Sequence, residues 1–314
     1  MSNIPKVTVV IPVKNAESKI EKCLEAVSDQ TVAPYEIIVV DGHSTDNTVD
    51  KAKKFNVVIL YEEYATVGGA RKKGVEHATG QYVAFTDSDC IPRPDWLENL
   101  LNEFNEHIVG VGGATVNVGK GIWKESISLT LDSFLGSANS VQDRAFSTKK
   151  YVKSISGCNS MYRLTDLLNV GNFDAALRIN EDTEINKRLL KYGKILYTPN
   201  AIVFHNQDRG LKDFAKRMYT FGKGRAQNKL LDLQVVPPVL ALLSFVFLFV
   251  LKEAFFLMIS LYLIILITFD LVLFINHKKL LYLLSVPLVF ALEHVSYTLG
   301  FWNGMIRLVS GGFR

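Results

Sequence analysis

The sequence predicts an α/β fold with a mostly parallel sheet, followed by a set of membrane-length apolar helices. Three features of its 314 residues predict it: β-branched runs alternate with helix-periodic segments, strand ends carry carboxylates, and the last quarter is mostly Leu, Phe, Ile and Val. Hydrophobic residues make up 48% of the chain, and their excess lies beyond Val235.

Lys6 to Val13 (KVTVVIPV) is a buried-type strand, and Ala16 to Gln30 places Ile20, Leu24 and Val27 at helical spacing. Tyr35 to Val40 is a second strand, Thr45 to Phe55 a helix, and Val57 to Tyr61 a third strand. A helix from about Gly69 to Thr79 and a strand ending at Thr86 complete the series. Strict alternation implies right-handed crossovers and parallel pairing, with both sheet faces covered. In such sheets ligands bind beyond the carboxyl ends of the strands, where Asp41 and Asp87 fall.

Val235 to Leu251, Ala254 to Ile275 and Leu280 to Trp302 are apolar runs of roughly 17 to 23 residues, the length of a bilayer span. Lys252-Glu253 and His277-Lys278-Lys279 separate them, and the basic flanks predict a cytoplasmic N-terminal domain. Pro237-Pro238 leaves a shallow re-entrant element as the alternative for the first run. Ahead of it, Asp208 to Lys229 carries seven basic and two acidic residues, with Phe214, Met218 and Phe221 as an apolar stripe. That pattern suits a helix lying in anionic headgroups, or else a solvated connector. The expected organisation is therefore residues 1–207, an interfacial segment 208–234, and a membrane domain 235–314.

A net charge of +4 and the absence of recognition motifs argue against a nucleic-acid partner. Cys23, Cys90 and Cys158 are odd in number, far apart and without CxxC spacing, so they suggest neither disulfides nor a zinc site. The opening MSNIPKVTVVIPV does not read as a cleaved signal peptide.

Chemistry concentrates in a few short stretches. In YVAFTDSDC, Asp87 and Asp89 follow a buried run with no cation adjoining them, and they repel unless a metal or a proton joins them. Asp41 opens DGHSTDNT, where a carboxylate accepts an imide N–H of a base or simply caps a turn. Arg71, after Gly68-Gly69-Ala70, is placed to reach a diphosphate, or is an ordinary surface arginine. Three acids in Asn180-Glu181-Asp182-Thr183-Glu184 suit the positive end of a helix, as a general base or as capping groups. His205 closes an apolar run as a candidate third metal ligand or a strand-end histidine.

In their order, IPVKN, VVDGHSTDNT, GGARKKGVEHATGQYVAFTDSD, SGCNSMYR, NEDTEINKRLLKYG, VFH and KRMYTFGKGRA resemble family 2 inverting glycosyltransferases of the GT-A fold, over about residues 6 to 230. The resemblance implies a Rossmann-like catalytic domain in which Asp41 contacts the nucleotide base. It further implies that Asp87 and Asp89 hold the ribose–diphosphate and a Mg²⁺ or Mn²⁺ ion, to which His205 is the candidate third ligand. Asp182, with Glu181 beside it, becomes the catalytic base. Pro12, Val13, Asn15, Ser44, Asp46, Arg71 and Ser88 are expected around the nucleotide-sugar, and Asn159, Arg217 and Arg225 around the acceptor and diphosphate. The membrane segment is similar to that of succinoglycan-type relatives, which build lipid-linked or exported glycans. Lys72 stands where the family often has Asn, and the Q-x-x-R-W motif of processive synthases is absent, so processivity is not implied.

These readings converge on a multi-pass enzyme of the cell membrane with its catalytic domain in the cytoplasm. Its partners would be a nucleotide-sugar donor, a polyprenyl-linked hydroxyl acceptor and membrane lipids. The rivals are a polyprenyl-phosphate sugar synthase, in which a phosphate oxygen attacks, and a nucleotide-binding membrane receptor or transporter without catalysis.

Overall fold

A computed structural model of the chain describes residues 5–137, 140–142, 144–206, 210–230 and 232–310. It resolves into two compact units, one of residues 1–118 and 140–206, the other of residues 119–139 and 207–314.

In the first unit, β1 (Val7–Val13), α1 (Ile20–Ser28), β2 (Glu36–Asp41), α2 (Thr48–Ala52), β3 (Val58–Tyr61), α3 (Val67–His77) and β4 (Tyr82–Phe85) alternate along the chain. There follow β5 (Cys90–Pro92), α4 (Trp96–Leu101) and β6 (Ile108–Val118). In the second unit come α5 (Ile122–Asp132) and α6 (Phe134–Ser137). The chain then returns to the first unit as β7 (Lys150–Val152), β8 (Ser160–Arg163), α7 (Leu164–Asn169), α8 (Glu181–Leu189) and β9 (Lys194–Asn206).

Among the described residues, nine strands form one sheet in the order β3-β2-β1-β4-β8-β6-β9-β5, with β7 also on β9. The pairs β3–β2, β2–β1 and β1–β4 are parallel, as the alternation predicts. Beyond β4 the sheet becomes mixed, because β8 runs antiparallel between β4 and β6, while β6 and β9 pair in parallel.

Strand periodicity decides which face each side chain covers. Val7, Val9, Ile11 and Val13 of β1 join Ile20, Leu24 and Val27 of α1 and Trp96, Leu97 and Leu100 of α4 on one face. Val10, Ile38 and Val40 face the other way, onto Ala70 and Val75 of α3 and Ile185 and Leu189 of α8. Burial on both faces is why these strands read as unbroken apolar runs.

Helices α1 and α2 begin later than their apolar periodicity suggests. Side chains of the preceding loops bond backbone instead: Asn15 Oδ1 accepts from Thr45 N (2.8 Å), and Asp46 Oδ2 accepts from Glu17 N (3.1 Å). Such local bonds offer the backbone an alternative to the helix ladder.

The second unit continues with α9 (Leu211–Gln227), α10 (Val236–Val250), α11 (Lys252–His277) and α12 (Tyr282–Val309). Among the described residues three helical segments are long and apolar enough to cross a membrane: Leu233–Val250, Lys252–His277 and Tyr282–Val309. Pro237 and Pro238 fall in the first turn of α10, where a missing N–H removes no helical bond.

Positions 208 and 209, where the basic segment starts, lie outside the described residues. From Leu211 onward that segment is a helix, as its periodicity suggests, but its apolar stripe is not left for lipid. Phe214 and Met218 are buried with Ile127 of α5 and Val289 of α12. Glycines permit the close approach: a Cβ at Gly300 would sit 1.9 Å from the Tyr219 carbonyl oxygen, and one at Gly222 2.1 Å from that of Tyr297.

Candidate active site

The carboxyl ends of β1 and β2 lie side by side, with Pro12 paired to Val40 and Val13 to Asp41. Asp41 is buried, and its two oxygens accept from Ser44 N (2.9 Å) and Ser44 Oγ (2.5 Å). Ser44 Oγ in turn accepts from Asn15 N at 2.8 Å, with Asn15 in the left-handed region at φ 50°. Asp46 accepts from both the amide and the hydroxyl of Thr48, whose Oγ1 accepts from Ala16 N at 2.7 Å. Thus Asn15, Asp41 and Ser44 form one set of bonds and Asp46 with Thr48 a second, and both tie the two loops together.

Arg71 is buried. Helix α3 carries it inward: Thr66 caps the helix, its Oγ1 accepting from Gly69 N (2.9 Å) and donating to Ala175 O (2.6 Å). The buried guanidinium donates from Nη1 to Glu181 Oε1 and from Nη2 to Asp87 Oδ1, the latter at 3.0 Å. Burial weakens its charge, but Glu181, Asp87 and Asp182 outweigh burial and hold its pKa above the usual value. Burial pushes the Glu181 carboxyl up to about 7 against the pull of Arg71. A guanidinium does not deprotonate in proteins, so the carboxylate is the member of this pair that takes up the proton.

Glu181 and Asp182 begin α8 but occupy different surroundings. Glu181 is buried against Arg71, whereas Asp182 is half-exposed. Asp182 Oδ2 accepts from Gly157 N (3.0 Å) and Oδ1 from Thr183 N (2.6 Å). A Cβ at Gly157 would fall 2.3 Å from Arg71 Nη1, so only glycine brings this backbone against both groups. Glu181, expected beside the catalytic base, is thus engaged with Arg71 and nearly shut off from solvent, a position that suits anchoring the arginine.

Asp87 and Asp89 do not share a strand face. The strand ends at Phe85, and a turn closed by Cys90 N donating to Asp87 O (3.0 Å) separates the acids, with half-buried Ser88 between them. Their partners come from other elements of the chain. Asp87 meets Arg71, while Asp89 lies 3.7 Å from Lys19 Nζ and 3.4 Å from His205 Nε2. A carboxylate and an imidazole converging in this way are a donor pair that a divalent ion such as Mn²⁺ accepts.

Asn159 is used elsewhere. Fully buried, it donates through Nδ2 to Ala114 O (2.9 Å) and Ala201 O (3.0 Å), and its Oδ1 accepts from Trp96 Nε1 (2.8 Å). With both ends of its amide bonded inside the fold, it braces β6 and β9 and is not available to an acceptor or diphosphate. Arg217 and Arg225 belong to the second unit, where Arg217 lies over the Phe221 ring and Arg225 pairs with Asp232.

Sequence reasoning missed Lys19 and read Gly157 only as part of the small-residue stretch SGCNSMYR, because the contacts of both are to distant residues. It also passed over a grouping of Cys90, Cys158 and His205, whose ligand atoms all lie within 4.8 Å of one another.

The model of the family described as glycosyl transferase family 2 matches residues 8–170. The chain is 29% identical over 244 residues to glycosyltransferase AglE of Haloferax volcanii, covering 74% of this chain and 76% of that protein. A Methanococcus voltae enzyme, named dolichyl N-acetyl-α-D-glucosaminyl phosphate 3-β-D-2,3-diacetamido-2,3-dideoxy-β-D-glucuronosyltransferase, is 26% identical over 321 residues, 96% of this chain and 97% of its own. Among solved structures, a mannosyltransferase from Pyrobaculum calidifontis in complex with GDP-Man and Mn²⁺ superposes with a TM-score of 0.53 at 19% identity. That match covers 72% of this chain and 64% of the other, so the chain spans under two thirds of that neighbour's length. The mixed sheet, the ordered motifs and the family match lead to one conclusion: the chain belongs to glycosyl transferase family 2 and is a glycosyltransferase with a GT-A-like domain.

Proposed function

We propose that this glycosyltransferase moves a sugar, with inversion, from a nucleotide-sugar to a hydroxyl of a polyprenyl-linked acceptor. The observation that carries the reading is the split between the paired acids: Glu181 is buried on Arg71, whereas half-exposed Asp182 is aimed by the amides of Gly157 and Thr183.

Asp182 takes the proton of the attacking hydroxyl, at the positive end of α8. Two N–H donors fix the orientation of its carboxylate, so the base is pre-aimed. Arg71 stays charged against Glu181 and positions Asp87 toward the ribose–diphosphate. The loops that carry Asn15, Asp41, Ser44 and Asp46, with Pro12, Val13 and Ser88, frame the nucleotide. Asp89 and His205 would hold Mg²⁺ or Mn²⁺, which when bound neutralises the charge of the leaving diphosphate.

The membrane-length helices support an acceptor whose polyprenyl chain stays in lipid. So does the Methanococcus voltae relative, whose name makes dolichyl N-acetyl-α-D-glucosaminyl phosphate its acceptor. The reading places residues 1–207 in the cytoplasm, 208–234 at the interface and 235–314 in the cell membrane. It extends to a succinoglycan-type role in building lipid-linked glycan.

The test is Asp182→Asn. Nucleotide-dependent thermal protection should persist while turnover drops about 10²- to 10⁴-fold, the worth of a positioned base. Near-normal transfer by that variant would remove the assignment.

A further inference from the structure

Cys90, Cys158 and His205 come from three separate stretches of the first unit, yet one ligand atom from each lies within 4.8 Å of the others. Cys90 stands directly opposite His205 in the β5–β9 ladder, and Cys158 lies just ahead of β8. Their exposures are 0%, 3% and 2%, so the group is interior. Asp89 adjoins it on the wetter side, with Oδ1 3.4 Å from His205 Nε2 and 3.9 Å from Cys90 Sγ.

Two sulfurs, an imidazole and a carboxylate are a four-donor set in which soft ligands carry half the positions. The atoms of Cys90, Cys158 and His205, within 4.8 Å of one another, exceed the edge of a tetrahedral zinc site by about 1 Å at most, a closure that side-chain rotation can supply, and rotation of Asp89 brings in the fourth donor. Mg²⁺ has no use for thiolates, so the same side chains discriminate between ion classes.

We propose that Cys90, Cys158, His205 and Asp89 form a thiolate site for a soft divalent ion, Zn²⁺ or Cd²⁺, which removes Asp89 and His205 from their hard-ion role and inhibits transfer. On capture two S–H bonds break, two metal–sulfur bonds form, and two protons leave to solvent. The inhibition rests on the transferase reading above, whereas the capture does not.

The full chain in detergent is titrated with Cd²⁺ and followed by ultraviolet thiolate-to-metal charge transfer. The expected result is a band saturating at one ion per chain, abolished by Zn²⁺ and unaffected by Mg²⁺. Cys90→Ser and Cys158→Ser should each weaken binding at least about tenfold, in the range that loss of a supporting ligand contact produces. Cys23→Ser, which alters a buried thiol outside the group, should leave the band intact. In a Mn²⁺-supported assay, Zn²⁺ should inhibit the wild type and spare Cys90→Ser. A wild type with no band overturns the site, as does a band lost only in Cys23→Ser or surviving both of the other substitutions. A normal band with no Mn²⁺-supported transfer to a polyprenyl-linked hydroxyl leaves the site standing and sinks the proposed acceptor reading, and equal Zn²⁺ inhibition of wild type and Cys90→Ser sinks the regulatory claim.

Discussion

Arg71 and Glu181, 110 residues apart in sequence, form a buried ion pair joining α3 to the start of α8. The pair orders the site because its other contacts radiate from it: Asp87 on the second guanidinium nitrogen, and Gly157 against the first. Removing one member leaves an uncompensated buried charge, which costs about 3–5 kcal/mol, while removing both is far less costly. Arg71→Met should therefore lower the unfolding midpoint sharply, and adding Glu181→Gln should recover a large part of the loss. If the double variant is as unstable as the sum of the single ones, the two residues do not act as a pair.

The same carboxyl sets a pH dependence. Glu181 titrates near 4.5 when unfolded and near 7 in the fold, so between those values the folded chain binds more protons than the unfolded one. Its contribution to stability is complete below pH 4.5 and is lost as pH rises through 7. Glu181→Gln should flatten that fall in thermal scans across the window. A slope unchanged by the substitution would assign the titration to another group.

Asn159→Ala separates a bracing role from contact with ligand. The substitution strands the Trp96 indole N–H and two buried carbonyls, and each buried group left unsatisfied costs about 1–3 kcal/mol. The expected outcome is a lower melting temperature with nearly normal turnover per folded molecule and an unchanged KM. A specific rise in KM at full stability would return Asn159 to the ligand.

The parts of the fold legible in the sequence are those that local periodicity controls. The runs VTVVIPV, EIIVVD and YVAF became parallel neighbours because β-branched alternation and short helical crossovers leave few other arrangements. The insertion of β8 between β4 and β6 was not legible, since antiparallel partner choice depends on contacts across some 50 to 80 residues of chain. The acids at 41, 87, 89, 181 and 182 were visible as strand-end and helix-start carboxylates. His205 was named with Asp87 and Asp89, but the pairing of Asp87 with Arg71 and of Asp89 with Lys19 was not visible, because those residues meet only in the folded chain. Likewise the stripe of Phe214 and Met218 shows amphipathicity without saying whether lipid or protein covers it. The deciding groups were Gly222 and Gly300, on two helices.

Those glycines give a direct test of the α9–α12 contact. A methyl at Gly300 would enter the Tyr219 carbonyl, a backbone group that moves only with its helix. Overpacking of this kind typically costs about 1–3 kcal/mol. Gly300→Ala should speed amide hydrogen exchange along α9, while exchange in the sheet of the first unit stays as in wild type. Unchanged protection of α9 would mean that the helix is held by something other than this close approach.

The last prediction concerns Asp89, whose carboxylate lies between Lys19 and His205. If Asp89 holds a divalent ion, Asp89→Asn keeps the size of the side chain but removes the charge that draws the cation, so Mn²⁺ affinity should fall. Lys19→Ala removes a competing cation 3.7 Å from the same oxygen pair, and affinity should rise. Opposite shifts in a Mn²⁺ titration, read by electron paramagnetic resonance on the full chain without donor or acceptor, would tie the ion to this carboxylate. Because Lys19 is partly exposed, screening keeps its effect modest, about threefold or less, whereas the loss at Asp89 should exceed tenfold. Two variants that bind Mn²⁺ equally well would move the ion away from Asp89.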